Sequence, residues 1–559
     1  MNMSANATGA GKITLTATAG PVPSWQRFAL PGLLLFGLAL RLFCLIYFTD
    51  AINGEGAEYC RIAENLVAGK GYVGIALEGR ELMFPPLFPL LIAAFSFVTG
   101  DFYLAAQLVS LLAGMATLVM VFVVVQDLYG KRVALIATAL ACIHPVLIQL
   151  SATTWVENLY IFLLLAAVFT ANRCHFFSDR KYWGATGLSL GLAYLACPQA
   201  IVFPLVYGVA FLSLKRFHQT VTVGRIALLI GIFAILASPY VAFLSVSTGS
   251  LRIEGKTIVN NALGRKVLGG SLERVSGYEV TKKLEERGVW MRPNAEVAAS
   301  PGAAGYRQTL KIALSKGMKN VVTVFLAFSD QYFLGAPLLA PLICLGLFAT
   351  PWTRARASRE LFLLLTVGGS LLTLTTVIHS FQIRYYFVLI PFSLVWGAKG
   401  ISELSGWVKR TLGKLEWGFA AGWAGRGAGV AAFVSLLALF AAGADGVETF
   451  KADRGVRVSH LRAAGSKLSR VPGAKVVMDT GTPLAFHAGA KYVPMPWCDG
   501  ETALRFARKK KVNFVVLKSW EANARPYLAE WISNGIPGGA LVHDSGGWDG
   551  SRIRVYRLW

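Results

Sequence analysis

Apolar runs of about 20 residues, enough to cross roughly 30 Å of hydrocarbon, recur through the first four-fifths of this 559-residue chain. Lipid offers the backbone no hydrogen-bond partners, so runs of this kind form helices. The pattern predicts spans near 28–48, 102–125, 132–150, 157–173, 183–197, 200–214, 225–246, 333–350, 360–378, 384–401 and 428–443. That makes about eleven spans in an all-α polytopic membrane protein. Between the first two spans the pattern changes. Tyr59, Ile62, Ala63, Leu66 and Val67 fall on one helical face and Glu58, Arg61 and Asn65 on the other, which predicts an amphipathic helix lying in the interface. Gly54 precedes it, and Gly69 and Gly71 end it. The apolar stretch 84–97 is too short to span, and Pro85, Pro86 and Pro89 interrupt its start. It predicts a second surface-lying or half-inserted helix.

Beyond about residue 444 the long apolar runs stop. Lys475 to Asp479, Tyr492 to Pro494 and Val512 to Leu517 read as strands, with helices over Thr482 to Ala488 and Glu501 to Lys510. The tail, 444–559, is therefore expected to be a small α/β domain, following a transmembrane domain over 25–443. Met1–Ser24 is rich in Ser, Thr, Ala and Gly and lacks a basic n-region and a cleavage site. It reads as a disordered leader and not as a signal peptide.

Charge sets the orientation. With the N-terminus in the cytoplasm, the cytoplasmic loops carry Lys131-Arg132, Arg173 with Arg180-Lys181, Lys215-Arg216, Arg354-Arg356-Arg359 and Lys409-Arg410-Lys414. The short outer loops near 151–156 and 198–199 carry neither Lys nor Arg, as the positive-inside rule requires. Three larger pieces then face outward: 49–101, 247–320 and the tail. The net charge of +24 exceeds what those loops need, and the tail adds Arg508-Lys509-Lys510-Lys511. This favours anionic partners such as membrane lipid phosphates over nucleic acid, for which no aromatic-basic groove pattern exists. A solvated charged face is the plainer reading. The seven scattered cysteines show no metal-ligand spacing.

Missing motifs narrow the chemistry. The chain has no G-x-x-x-x-G-K-[ST] phosphate loop, no Asp-x-Asp and no serine nucleophile elbow. An enzyme of this kind would need an activated donor delivered through the membrane. Topology directs several polar residues to one outward cavity: Glu55 and Glu58 in the first outer loop, Glu157 after Ser151-Ala152-Thr153-Thr154-Trp155-Val156, and His379 with Arg384-Tyr385-Tyr386. A carboxylate base and an arginine suit displacement of a phosphate leaving group by a hydroxyl. The base takes the proton, and the planar guanidinium binds the phosphate oxygens.

The order of these motifs resembles the membrane-embedded GT-C glycosyltransferases that use polyprenyl-phosphate sugars, in particular the bacterial protein O-mannosyltransferase and lipid A aminoarabinose transferase group. The matching residues are Glu55 to Tyr59, Ile62-Ala63-Glu64-Asn65-Leu66, Gly69-Lys70-Gly71-Tyr72, Pro85-Pro86-Leu87-Phe88-Pro89, Glu157-Asn158-Leu159-Tyr160 and Arg384-Tyr385 with Pro391. The resemblance covers roughly 28–400 and implies a bacterial inner-membrane enzyme acting on the periplasmic face. It implies inverting transfer of a hexosyl or pentosyl unit from a polyprenyl-phosphate donor to an acceptor hydroxyl. Glu55 stands at the position of the base, with Glu58 as a second catalytic candidate. Glu157, Arg384, Tyr385, His379, Arg252, Lys256 and Tyr59 are candidates for substrate binding. Some relatives use a divalent cation, which nothing here demands.

Two departures stand out. The family usually has Asp where Glu55 stands, and Gly56 follows where Glu is common. Many members have Lys directly before Pro-Pro, where this chain has Phe84, so phosphate binding falls to Arg384 or to Arg252 and Lys256.

Plainer readings stand beside these. Glu55 is also an ordinary acid at a helix N-terminus, Glu58 a solvent-facing partner of Arg61, Glu157 an interfacial cap, and Arg384 a snorkelling arginine. Asp479 and His487 in the tail read as structural. A flippase or transporter of a lipid-linked sugar, or a glycan polymerase or ligase, would use similar residues. The sugar and the acceptor are not legible in the sequence.

Overall fold

The computed structural model describes residues 25–48, 52–77, 79–176, 179–214, 221–255, 318, 322, 338–348, 352–375, 383–415, 418–444, 452–496 and 498–559. Helices lie at each of the eleven predicted spans: α1 (Trp25–Phe48), α4 (Phe102–Tyr129), α5 (Lys131–Ile143) with α6 (Pro145–Ala152), α7 (Glu157–Phe176), α8 (Arg180–Ala196), α9 (Val202–Leu214), α10 (Val223–Thr248), α11 (Leu339–Phe348), α12 (Arg354–Thr375), α13 (Leu389–Lys414) and α14 (Gly418–Gly443). Five of the described helices are long and apolar enough to cross a bilayer, and α5 with α6 makes a sixth crossing if the bent pair is one span. The chain is a multi-pass membrane protein.

The α5–α6 pair departs from the single straight span expected over 132–150: it bends by 62°. Pro145 at the start of α6 has no N–H to continue the ladder. The buried guanidinium of Arg41 donates to the carbonyls of Cys142 (3.2 Å) and Ala141 (3.4 Å) on α5 and to Ser151 Oγ (2.9 Å) on α6. A cation thus serves the carbonyls at the end of a helix, where they lack intrahelical partners.

Between α1 and α4, in the first loop, lie α2 (Gly54–Val67) and α3 (Leu87–Thr99). The Asn53 side chain caps α2 by accepting from Gly56 N at 2.7 Å, which satisfies one of the four orphan donors of the first turn. Gly69 and Gly71 take positive φ just beyond it, as the glycine positions predict. At 13 residues α3 is shorter than a spanning helix.

After α15 (Ala452–Ser469), the tail builds a five-stranded sheet from β1 (Val476–Asp479), β2 (Lys491–Pro494), β3 (Phe514–Lys518), β4 (Ala540–Gly546) and β5 (Arg552–Arg557), in the order β2-β1-β3-β5-β4. β1 is parallel to β2 and β3, and β5 is antiparallel to β3 and β4. Helices α16 (Pro483–His487) and α17 (Gly500–Lys509) make the crossovers, and α18 (Leu528–Asn534) follows β3. Alternation along the strands serves two cores. Val477, Phe514 and Val516 face one with Leu484 and Leu468, while Met478, Val515 and Leu517 face the other with Phe506 and Trp531. Period-two side-chain direction puts successive residues on opposite faces, and both faces are covered. The strands and helices predicted over 475–517 are present. α15, α18 and the β4–β5 hairpin are additions that the sequence pattern did not predict.

Candidate active site at the first loop

One side of α2 meets the turn before α7. The Asn53 side chain donates through Nδ2 to Thr154 Oγ1 at 3.0 Å. A side chain on Gly56 would run into Thr154, whose Oγ1 and Cβ occupy the space a methyl group would need. The glycine after Glu55, which departs from the family pattern, is therefore the residue that lets the N-terminus of α2 lie against this turn. The same turn leads directly into Glu157, the first residue of α7. Glu55 lies in the first turn of α2, where the helix dipole favours its anionic form. It is only 8% exposed, as is Glu58.

The expected solvated face of α2 does not exist. Glu58 is not a solvent-facing partner of Arg61; its Oε2 accepts from Ile75 N at 2.8 Å. The tail covers this side of the helix. Thr482 Oγ donates to Gly54 O at 2.8 Å, Arg61 Nη2 donates to Phe486 O at 3.3 Å, and the Arg61 guanidinium sits 5.5 Å from the centre of the Phe486 ring. Arg61 pairs with Glu64 at 2.9 Å. The backbone of Tyr492 in the edge strand β2 donates to Ile75 O at 3.1 Å, and the Ile75 side chain is part of the tail core. One peptide segment thus ties the tail sheet to the Glu58 carboxylate. The amphipathic pattern marks the polar face correctly, but polar here means covered by another domain.

Glu81 is a site residue that the sequence pattern did not reveal. It is buried, and its Oε1 accepts from Met83 N at 2.7 Å. A methyl group on Gly74 would lie 2.6 Å from Glu58 Oε2 and 3.0 Å from Glu81 Oε2, so the two carboxylates border one small volume. Burial pushes the Glu81 carboxyl up to about 7, against lowering by its backbone hydrogen bonds. The only signal in the sequence was an acid placed just before Met83-Phe84-Pro85-Pro86. Between the ordinary value of 4.5 and about 7, the folded chain holds more protons than the unfolded one. Stability is therefore expected to fall as pH rises through that window. Glu81→Gln, always neutral, should flatten this slope in thermal unfolding of the detergent-solubilised protein. An unchanged slope would count against a buried, titrating Glu81.

The remaining candidates are placed as follows. Tyr59 is buried with its ring edge-to-face against Phe84 (5.0 Å) and Phe88 (5.1 Å). Phe84 thus packs against the tyrosine where relatives offer a charge, and its carbonyl accepts from Tyr72 OH at 2.7 Å. Arg252 is exposed beyond α10, its Nε donating to Ser250 Oγ at 3.1 Å. Close to it, a side chain on Gly255 would meet the backbone of Leu82 and Met83, so the start of the 247–320 loop packs on the first loop. Arg384 and Tyr385 belong to the 3-10 turn Ile383–Val388 that enters α13. Their side chains, and residues His379 and Lys256, lie outside the described residues.

Residues 84–243 match the family model of dolichyl-phosphate-mannose-protein mannosyltransferases. That segment includes Glu157 but begins after Glu55, Glu58 and Glu81. Among solved structures, the chain is similar to ArnT from Cupriavidus metallidurans bound to undecaprenyl phosphate, at 12% identity and a TM-score of 0.55 over 94% of this chain and 98% of that one. It is also similar to the archaeal oligosaccharyltransferase AglB from Archaeoglobus fulgidus in complex with an inhibitory peptide and a dolichol-phosphate. There the identity is 13% and the TM-score 0.56, over 96% of this chain and 74% of that one. The Archaeoglobus fulgidus enzyme in complex with Zn and sulfate matches at 14% identity and a TM-score of 0.52, over 95% and 73%. Compared with curated protein sequences, the chain finds no match. At these identities the likeness to the solved structures is one of fold, and the family model matches residues 84–243 of the 559.

Proposed function

We propose that this chain moves a sugar from a polyprenyl-phosphate donor to an acceptor hydroxyl, with inversion, on the periplasmic face of a bacterial inner membrane. The observation that carries the reading is the placement of Glu55: a shielded carboxylate at a helix N-terminus, at the seam between the first outer loop and the turn leading to Glu157. Glu55 takes the proton of the acceptor hydroxyl. The freed oxygen bonds to the anomeric carbon as the bond from that carbon to the phosphate oxygen breaks, and polyprenyl phosphate leaves with the electron pair. Glu58 and Glu81 line the loop beside the base, and Glu157 orients the sugar. Arg384 with Tyr385 and His379, and Arg252 with Lys256, are the groups assigned to the donor phosphate. Lipid-phosphate ligands in the ArnT and AglB structures support this donor class.

A Zn-containing relative raises the question of a divalent cation. Among the described residues no group of three or more His, Cys, Asp or Glu is arranged to hold a metal ion. The Glu58 and Glu81 oxygens would supply two ligands, short of a closed zinc site, and no step is routed through a metal.

The test is purified protein given polyprenyl-phosphate sugar labelled in the sugar. Release of polyprenyl phosphate with the label on an acceptor or on water is the expected result. Movement of intact donor across a vesicle membrane, without cleavage, would overturn the reading in favour of a flippase.

A further inference from the structure

The tail sheet has a cluster of polar side chains at its strand ends that the reaction above leaves without a role. β1 and β3 are adjacent and parallel, yet the chain leaves β1 toward β2 and leaves β3 toward β4 and β5. Their outgoing connections diverge, and at such a topological switch point the carboxyl ends of the strands open a binding crevice. Asp479 ends β1, and Lys518 ends β3.

These two residues are buried together. Asp479 Oδ1 accepts from Lys518 Nζ at 2.7 Å and from Thr480 N at 2.6 Å. Lys518 also meets Thr480 Oγ at 2.9 Å and Glu521 at 3.3 Å, and Thr480 Oγ donates to Glu521. Every donor falls on Oδ1. Asp479 Oδ2, equally buried, has no hydrogen-bond partner among the described residues. A buried acceptor left bare costs about 1–3 kcal/mol, more when charged, so a partner for Oδ2 would be favourable.

The chemistry of that occupant follows from the neighbours. Lys518 already supplies the positive charge and has its donors engaged, so a metal ion would meet an ammonium 2.7 Å from its first ligand. The open demand is for a neutral O–H donor. Glu521 is 27% exposed and so opens the cluster toward solvent. The connection that carries Thr480 and Gly481 continues to Thr482, which is hydrogen-bonded to Gly54, the residue before Glu55.

We propose that this cluster binds a hydroxyl of a neutral glycan, so that the tail holds a saccharide acceptor with its free end toward Glu55. Asp479, read as structural from the sequence, becomes the acceptor-binding carboxylate, with Thr480 and Glu521 beside it. The identification of the glycan as acceptor rests on the proposed glycosyl transfer.

Neutral methyl hexosides and pentosides, titrated onto the full chain in a non-glycosidic detergent and followed by saturation-transfer NMR, test the site without any donor. At least one glycoside should bind saturably. Glu521→Gln or Thr480→Val should weaken that binding by roughly tenfold or more, while Glu55→Gln leaves it unchanged. Both tail variants spare the Asp479–Lys518 pair, and their thermal unfolding checks that the tail remains folded. No saturable binding, meaning an internal water only, or an affinity unchanged in both variants would overturn the site. Donor cleavage to water in the same preparations reports separately on the transfer reaction, so either idea can fail alone.

Discussion

Glu55→Gln is expected to lower sugar transfer by roughly 10²–10⁴-fold while leaving donor binding within a factor of a few. That range is what a positioned general base contributes. The substitution keeps the size of the side chain and removes only its capacity to accept a proton. Single-turnover transfer from a labelled donor, with lipid binding measured in parallel, separates the two effects. Transfer at the wild-type rate would remove Glu55 from the mechanism and leave Glu58 and Glu81 as the buried carboxylates of that loop. Glu55→Asp should retain more activity than Glu55→Gln, because it keeps the charge and moves it back by one methylene.

The second large effect is expected from the smallest change. Gly56→Ala places a methyl group where Thr154 Oγ1 and Cβ already stand. Neither atom is the far end of a flexible side chain, so the helix or the turn must move. Overpacking of this kind costs typically about 1–3 kcal/mol, and a displacement on the order of 1 Å between catalytic groups can cost about 10²-fold in rate. Activity should therefore fall by about that factor, with a smaller loss of thermal stability. Thr154→Gly in the same chain, which removes both colliding atoms, should restore part of the rate. It will not restore all of it, because the Asn53 hydrogen bond to Thr154 is lost as well. A Gly56→Ala variant with full activity would show that contact between α2 and the 153–156 turn is not needed.

The sequence by itself determined that long apolar helices recur through the first four-fifths of the chain, that α2 is an amphipathic helix, and where most of the tail strands lie. Each of these depends on a local pattern: continuous apolar runs for helices in lipid, a 3.6 period for α2, and short apolar runs rich in β-branched residues for β1 and β3. Glu55 was legible for the same reason, since its place at the start of α2 is a matter of sequence order. Non-local neighbours were not legible. The periodicity of α2 separated Glu58 and Arg61 from the apolar face but could not say what covers them. Ile75, Thr482 and Phe486 cover them, and the last two lie more than four hundred residues further along the chain. Gly56 looked like a departure until Thr154 was placed against it, and Pro145 broke a span that looked continuous by hydropathy alone. The burial of Glu81 and Asp479, which gives each its chemistry, was not legible because it is a property of the packed molecule. Hydrophobic period fixes which face of an element is apolar; only the tertiary structure decides whether the opposite face meets water, lipid or another part of the same chain.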